Sequence, residues 1–248
     1  MKPTLLMIIL LPLDIACQPA PIDILPEKTW TEIGQIPAPE GYQRMAVSAG
    51  SFGEWLRKLP LKQDKRVFLY DGRLKRNQSA QFAVIDISVG KKDLQQCADA
   101  VMRLRAEYFY NRKEYDSIDF TDNNKTHYRL KRNANRAEFD NYLEKVFSYC
   151  GTLSLENQLK PKNHIDAIEP GNVFIKGGSP GHAVIVVDVA INAQGKKVFM
   201  IAQSYMPAQD IHLLINPDNI NSAWYELPEG NSILTPEWVF EKKQLRSW

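Results

Sequence analysis

Apolar residues recur along the chain with two periods, and the change from one to the other predicts the architecture. Leu94, Cys97, Val101, Leu104 and Tyr108 follow helical spacing, with Ala98, Met102 and Phe109 widening the stripe, so a long amphipathic helix is expected there. Phe139, Tyr142, Leu143, Val146 and Phe147 predict a second helix over 138–149, stopped by Gly151. Ser51 followed by Glu54 has the form of a capping box and starts a short helix that Pro60 must end. From Asn172 onward the period falls to two. Segments 172–176, 182–191, 198–205 and 211–215 read as consecutive strands joined by hairpin turns. Two earlier strands, 66–70 and 82–87, are separated by the Asp71-Gly72 turn and a polar loop. Helices first and then an antiparallel meander make an α+β fold, with N-terminal helices packed on the sheet.

The N-terminal pattern is of another kind. After Lys2 an apolar run from Leu5 to Leu13 leads to Asp14-Ile15-Ala16-Cys17 and then to Pro19, Pro21 and Pro26. The run is too short to span a bilayer as a mature helix, and the order of regions reads as a signal peptide over 1–16. The small residue before Cys17 resembles a bacterial lipobox, which implies lipidation of Cys17. Residues 17–40 then form a proline-rich tether, and 41–248 one folded domain. The expected location is the bacterial envelope, with the chain exported and membrane-anchored on the periplasmic side or the cell surface. Nothing in the sequence specifies an oligomeric state.

Composition narrows the partner. The 248 residues carry 31 Lys plus Arg against 29 Asp plus Glu, a near balance that speaks against a nucleic-acid binder. The basic cluster Arg129, Lys131, Arg132 and Arg136 reads as a solvated loop, with an anionic envelope polymer as its other possible facing. No phosphate-binding glycine loop or dinucleotide fingerprint occurs, so no cofactor is expected. The four histidines lack metal-ligand spacing, so no metal is expected. Gly177-Gly178-Ser179-Pro180-Gly181 matches the serine-hydrolase elbow in letters alone. A strand follows Ser179 where that motif needs a helix, and Pro180 removes an amide donor.

The candidate chemistry lies in Cys97, His182 and Gln203. Asp93 with Gln96 has a capping pattern that puts Cys97 in the first helical turn, where the helix dipole favours a thiolate. His182 opens a strand just after a glycine-rich loop, a suitable place for a general base. With a two- or four-residue turn at 192–195, Ile191 pairs with Lys196 and Gln203 falls opposite Val184, on the face of His182. A three-residue loop would turn Gln203 to the other face. Gln209 and Asp210 are fallback members on a loop. The inert alternative stays open for each residue: Cys97 lies on an apolar stripe and free cysteine is often buried, while His182 can simply satisfy loop carbonyls. Cys150 reads as packing, although in an oxidising compartment it could pair with Cys97.

This order of cysteine, histidine and polar residue resembles the papain-like superfamily, in particular its compact NlpC-type and CHAP-type peptidoglycan amidases. The resemblance implies a nucleophile at Cys97, a base at His182 and an orienting Gln203, acting on an amide bond of peptidoglycan stem peptide. A resemblance to the bacterial lipoproteins of domain of unknown function 4846 covers nearly the whole mature chain. It is carried by Tyr42-Gln43-Arg44, Ser51-Phe52-Gly53-Glu54-Trp55-Leu56-Arg57, the segment from Leu94 to Arg105, Pro180-Gly181-His182-Ala183-Val184, and the segment from Ala202 to Gln209. That family has no assigned activity. A non-catalytic envelope binding protein, using its sheet and aromatics such as Trp224 and Tyr225 with Cys97 buried and inert, is the other functional expectation. The long connection 111–135 is a candidate lid.

Overall fold

A computed structural model describes residues 30–248; the predicted signal peptide and Cys17 lie outside the described residues. Residues 30–40, expected as the end of a tether, belong instead to the folded body. Ile33 and Ile36 there are buried in the core, and the Ile33 amide donates to the Leu59 carbonyl at 3.1 Å. Apolar side chains at these two positions make the segment pack rather than extend.

Chain order is β1 (Tyr42–Arg44), α1 (Phe52–Arg57), β2 (Gln81–Val84), α2 (Cys97–Asn111), the hairpin β3 (Asp119–Thr121) and β4 (His127–Arg129), then α3 (Arg136–Tyr149) and α4 (Thr152–Gln158). There follow β5 (Lys160–Pro161), β6 (Val173–Lys176), β7 (His182–Asn192), β8 (Lys197–Gln203), β9 (His212–Leu214), β10 (Tyr225–Glu226), β11 (Ser232–Leu234), β12 (Val239–Glu241) and β13 (Leu245–Ser247). Nine of these strands form one antiparallel sheet in the order β2-β9-β8-β7-β6-β13-β5, with β1 added to β7 and β10 to β8. The fold is therefore mixed α+β with few helices on a mostly antiparallel sheet.

Ser51 caps α1 by accepting the Glu54 amide at 3.2 Å, while Glu54 reaches back to the Gly50 amide rather than to that of Ser51. Two expectations change. Segment 66–70 forms only isolated bridges, Phe68 with Leu74 and Leu69 with Gln209. Gly151 does not simply end α3; it leads into α4, its amide donating to Ser154 Oγ at 2.9 Å. Ser154 is three residues on, so a polar residue at that spacing was the signal for a second start.

The sheet is covered on both faces. Val101, Met102 and Leu104 of α2 share one core with Ile185, Val187 and Met200. Phe174, Phe199 and Phe240 fill the other with Val184 and Val186. Because both faces are dry, β7 reads as a near-continuous apolar run instead of a strict alternation.

The β7–β8 register begins one step away from expectation, with Ile191 opposite Lys197 and Asp188 opposite Met200. A bulge between Val186 and Asp188 then shifts it, and Val186 pairs with Ile201 and Ile185 with Ala202. The extra residue returns the strand end to the expected alignment. Gln203 thus reaches the face of His182 through an inserted bulge and not through the turn.

Candidate functional site

The loops and strand ends beside His182 frame a cavity of about 420 Å³, lined among others by Cys97, Asp99, Cys150, Thr152, His182 and Trp238. Cys97 is the first residue of α2, after Gln96 as N-cap. Asp93 does not cap the helix. Its Oδ1 accepts the Ala208 amide at 2.6 Å and the Gln96 side-chain amide at 3.2 Å. Asp99 takes the capping role, accepting the Gln96 amide on Oδ2 at 3.0 Å. Ser204 Oγ lies 3.0 and 2.9 Å from the carbonyl oxygens of Gln95 and Gln209 and shares its one proton between them. These bonds pin the helix entry to the end of β8, which fixes Cys97 beside the sheet.

His182 follows a glycine that no other residue could replace without movement. A Cβ on Gly181 would lie 2.4 Å from both Thr152 Oγ1 and the Gly178 carbonyl oxygen. The imidazole is buried against Tyr205, Trp238 and Phe240, with ring centroids 4.7, 5.3 and 5.7 Å away.

A chain of polar groups fixes its tautomer. Lys75 Nζ donates to Glu237 Oε2 at 2.5 Å, and Gln203 Nε2 donates to the same oxygen at 2.7 Å. A carboxylate only accepts, so the Gln203 amide nitrogen must face Glu237 and its Oε1 must face His182. His182 Nε2 is 2.8 Å from that Oε1 and therefore carries the proton. Nδ1 is left with a free lone pair and has no hydrogen-bond partner among the described residues. His212 completes the arrangement, its Nδ1 donating to the Asp210 carbonyl at 2.9 Å with Nε2 3.4 Å from the Gln203 amide nitrogen.

The electrostatics are those of a neutral resting site. Burial pulls His182 down to about 4, with Gln203 and Glu237 opposing. Burial also pushes the Cys97 thiol up to about 11, assisted by the Asp99 charge and opposed by the amides of Ala98, Ala183 and Cys97. Burial alone would raise Glu237, but the Lys75 ammonium holds it below its ordinary value. Asp99 is pushed by burial up to about 8, and its Oδ1 has no partner. The thiol and the imidazole share the cavity, but no hydrogen bond joins them in this structure. His182 lies on the sheet face of Val184 and Val186, whereas α2 packs on the opposite face, so the two groups meet only round the strand ends.

Of the residues picked out in the sequence, Cys97 and His182 line the cavity, and Gln203 stands behind His182. Cys150 also lines it, as a free thiol. Asp210 is engaged elsewhere, accepting Lys62 Nζ at 2.9 Å and the Phe68 amide at 3.0 Å. Gln209 is buried with its side-chain nitrogen unpartnered. Trp224 and Tyr225, expected as exposed aromatics, are buried, with Trp224 Nε1 donating to the Pro37 carbonyl at 2.8 Å. No residue of 111–135 lines the cavity, so that connection is not its lid. The basic cluster within and after it is matched by carboxylates: Arg129 with Asp119, Lys131 with Glu138, Arg132 with Asp116, Arg136 with Glu107 and Asp140.

Sequence reasoning missed Lys75, Glu237, His212 and Trp238. Only His212 left a signal, a histidine between Ile211 and Leu213-Leu214 in a strand, where a buried ring needs partners. Lys75 and Glu237 stand in loops 162 residues apart and carry no pattern.

Fold and site together define an α+β protein with a buried polar chain that ends on a cysteine-lined cavity. The chain belongs to a family described as a domain of unknown function (4846), whose model matches residues 34–132 and 121–247. No curated protein and no solved structure matches it.

Proposed function

We propose that the protein is a cysteine hydrolase of papain-like type that cleaves an amide bond, with a peptidoglycan stem peptide as substrate. One observation carries the reading. Cys97 at the start of α2 and His182 at the start of β7 open on one cavity, and the Gln203–Glu237–Lys75 chain leaves His182 Nδ1 unprotonated. In this reading the substrate brings the thiol and Nδ1 together, as catalytic hydrogen bonds often tighten only in the complex. Cys97 Sγ attacks the carbonyl carbon while its proton passes to Nδ1. The amides of Cys97 and Ala98, free of intrahelical acceptors in the first turn of α2, receive the developing oxyanion. Collapse breaks the C–N bond, His182 protonates the departing amine, and water then hydrolyses the thioester with His182 again as base. Gln203 orients the imidazole, and Lys75 keeps Glu237 charged so that Gln203 cannot turn over.

Export and lipidation at Cys17 belong to the same proposal and rest on the N-terminal sequence. They would place the cavity where peptidoglycan is found. No helix of the described residues is long and apolar enough to cross a membrane.

The test is alkylation of Cys97 by iodoacetamide in the folded protein, with Cys150→Ser as background, followed by peptidoglycan digestion. A Cys97 that labels in the folded state, at a rate cut at least about tenfold by His182→Ala, supports the hydrolase. Labelling only after denaturation would end this reading. The raised thiol and the missing thiol–imidazole bond favour in that event a non-catalytic envelope binding protein with Cys97 inert.

A further inference from the structure

Helix α2 carries a second polar group on a separate cavity. Arg105 lies eight residues beyond Cys97, about 12 Å along the helix axis. Its guanidinium carbon is 4.4 Å from the ring centre of Phe109, 4.8 Å from Phe52, 5.1 Å from Trp248 and 5.7 Å from Tyr108. Among the described residues it has no hydrogen bond and no ion pair. Aromatic faces stabilise a cation through its flat side, but they leave the N–H groups in the guanidinium plane unmatched. The consequence is a partly buried charge, which burial pulls down to about 10.

A cavity of about 400 Å³ opens beside it, with apolar walls from Met45, Val47, Phe52 and Pro170 and with Arg105 and Trp248 in its lining. The Trp248 indole N–H is also buried without a partner. One buried unmatched donor and one cation without an ion pair thus border the same space, whose lining also carries the polar side chains of Ser48, Ser51 and Asn172. Glu169 is the one side-chain carboxylate in the lining, and Lys162 donates to it at 3.0 Å. With a single cation beside a fixed carboxylate, a singly charged ligand fits better than a dianion.

We propose that this cavity binds a small organic monocarboxylate. Arg105 takes the two carboxylate oxygens in its fork, the Trp248 indole N–H donates to one of them, and the apolar walls cover the ligand's body. The proposal concerns a site apart from the Cys97 cavity and does not depend on the hydrolase reading.

Isothermal titration calorimetry of the full chain at pH 7 and low salt tests it, with hexanoate, hexanamide and inorganic phosphate as probes. Hexanoate should saturate with a Kd on the order of 1 mM, with hexanamide and phosphate at least about tenfold weaker. Arg105→Gln should weaken hexanoate at least about tenfold, and Trp248→Phe, which keeps the ring and removes the donor, about threefold to tenfold. Hexanoate that does not saturate, phosphate that binds more tightly, or an Arg105→Gln protein with unchanged affinity would each overturn the proposal. Should Arg105→Gln fail to fold, the hexanoate-to-hexanamide ratio and Trp248→Phe decide: a ratio near one, or no loss in Trp248→Phe, rejects the carboxylate site.

Discussion

Two places along β7, Asp188 within the strand and His182 at its start, bury polar groups in opposite ways. At Asp188 both carboxylate oxygens are matched. Arg57 Nε and the Val189 amide donate to Oδ1 at 2.6 and 2.8 Å, and Arg44 Nε donates to Oδ2 at 2.6 Å. Both Nη2 groups reach carbonyls, Arg57 Nη2 that of Met45 at 2.8 Å and Arg44 Nη2 that of Ile36. That knot ties β1 and α1 to the sheet. At His182 the chain from Lys75 is just as well matched until it reaches the cavity, where Asp99 Oδ1 and the Trp238 indole N–H are buried without a partner and His182 Nδ1 has no hydrogen bond among the described residues. Buried polar groups are ordinarily satisfied, so a cluster of exceptions in one cavity is where a ligand is to be sought. The surroundings of Asp188 are closed structure, and those of His182 are structure left open.

The contrast can be broken most forcefully on its closed side. Asp188→Ala leaves two arginines with no counter-charge, at a cost of about 4 kcal/mol in urea unfolding. Glu237→Gln strands the Lys75 ammonium and should cost about 3 kcal/mol. It also frees the Gln203 amide to turn over, so Cys97 alkylation should slow severalfold, an effect that Asp188→Ala should not share at temperatures where it remains folded.

Asp99→Asn sharpens the comparison through pH. In the fold the carboxyl keeps its proton up to about 8, whereas the unfolded carboxyl loses it near its ordinary value of 3.8. The unfolded chain therefore binds fewer protons across that window, and Asp99 makes stability fall as pH rises through it. The asparagine variant should gain about 2 kcal/mol over the native chain at pH 8 and nothing at pH 3.5, as urea midpoints would show. Histidines act with the other sign. His182 at about 4 and His212 at about 3 are lowered by burial, so their contribution is complete above about 6.5 and is lost as acid is added. A variant that removed only the acid limb would contradict the assignment of Asp99. The smallest change is Trp238→Phe, which deletes an unpartnered donor while keeping most of the ring. Its stability should lie within about 1 kcal/mol of the native chain.

Helices α2 and α3 were legible because a helix must bury one stripe, and that need is written in every third or fourth residue. The four strands between 172 and 215 were legible from their apolar runs, and with them Cys97 and His182 at the starts of their elements, whereas the short strands between 225 and 247 were not. Segment 66–70 was not, since its bonds go to residues such as Gln209 that no local pattern announces. Gln203 is the instructive case. Its alignment with His182 depends on a bulge at Val187, and sheet parity cannot be counted through a bulge that the sequence does not declare.

The sequence by itself determined the α+β order of elements, the family, and the placing of a cysteine at a helix start and a histidine at a strand start. The family follows from the matching segments, and the rest from periodicity and capping, which act over a few residues. Only the tertiary structure decided that Lys75 and Glu237 stand behind Gln203, that Asp99 Oδ1 lacks a partner, and that Arg105 meets four aromatic rings. Such groups come from loops and elements far apart in the chain. What brings them together is the requirement that a packed interior match its charges, and that requirement has no period in the sequence.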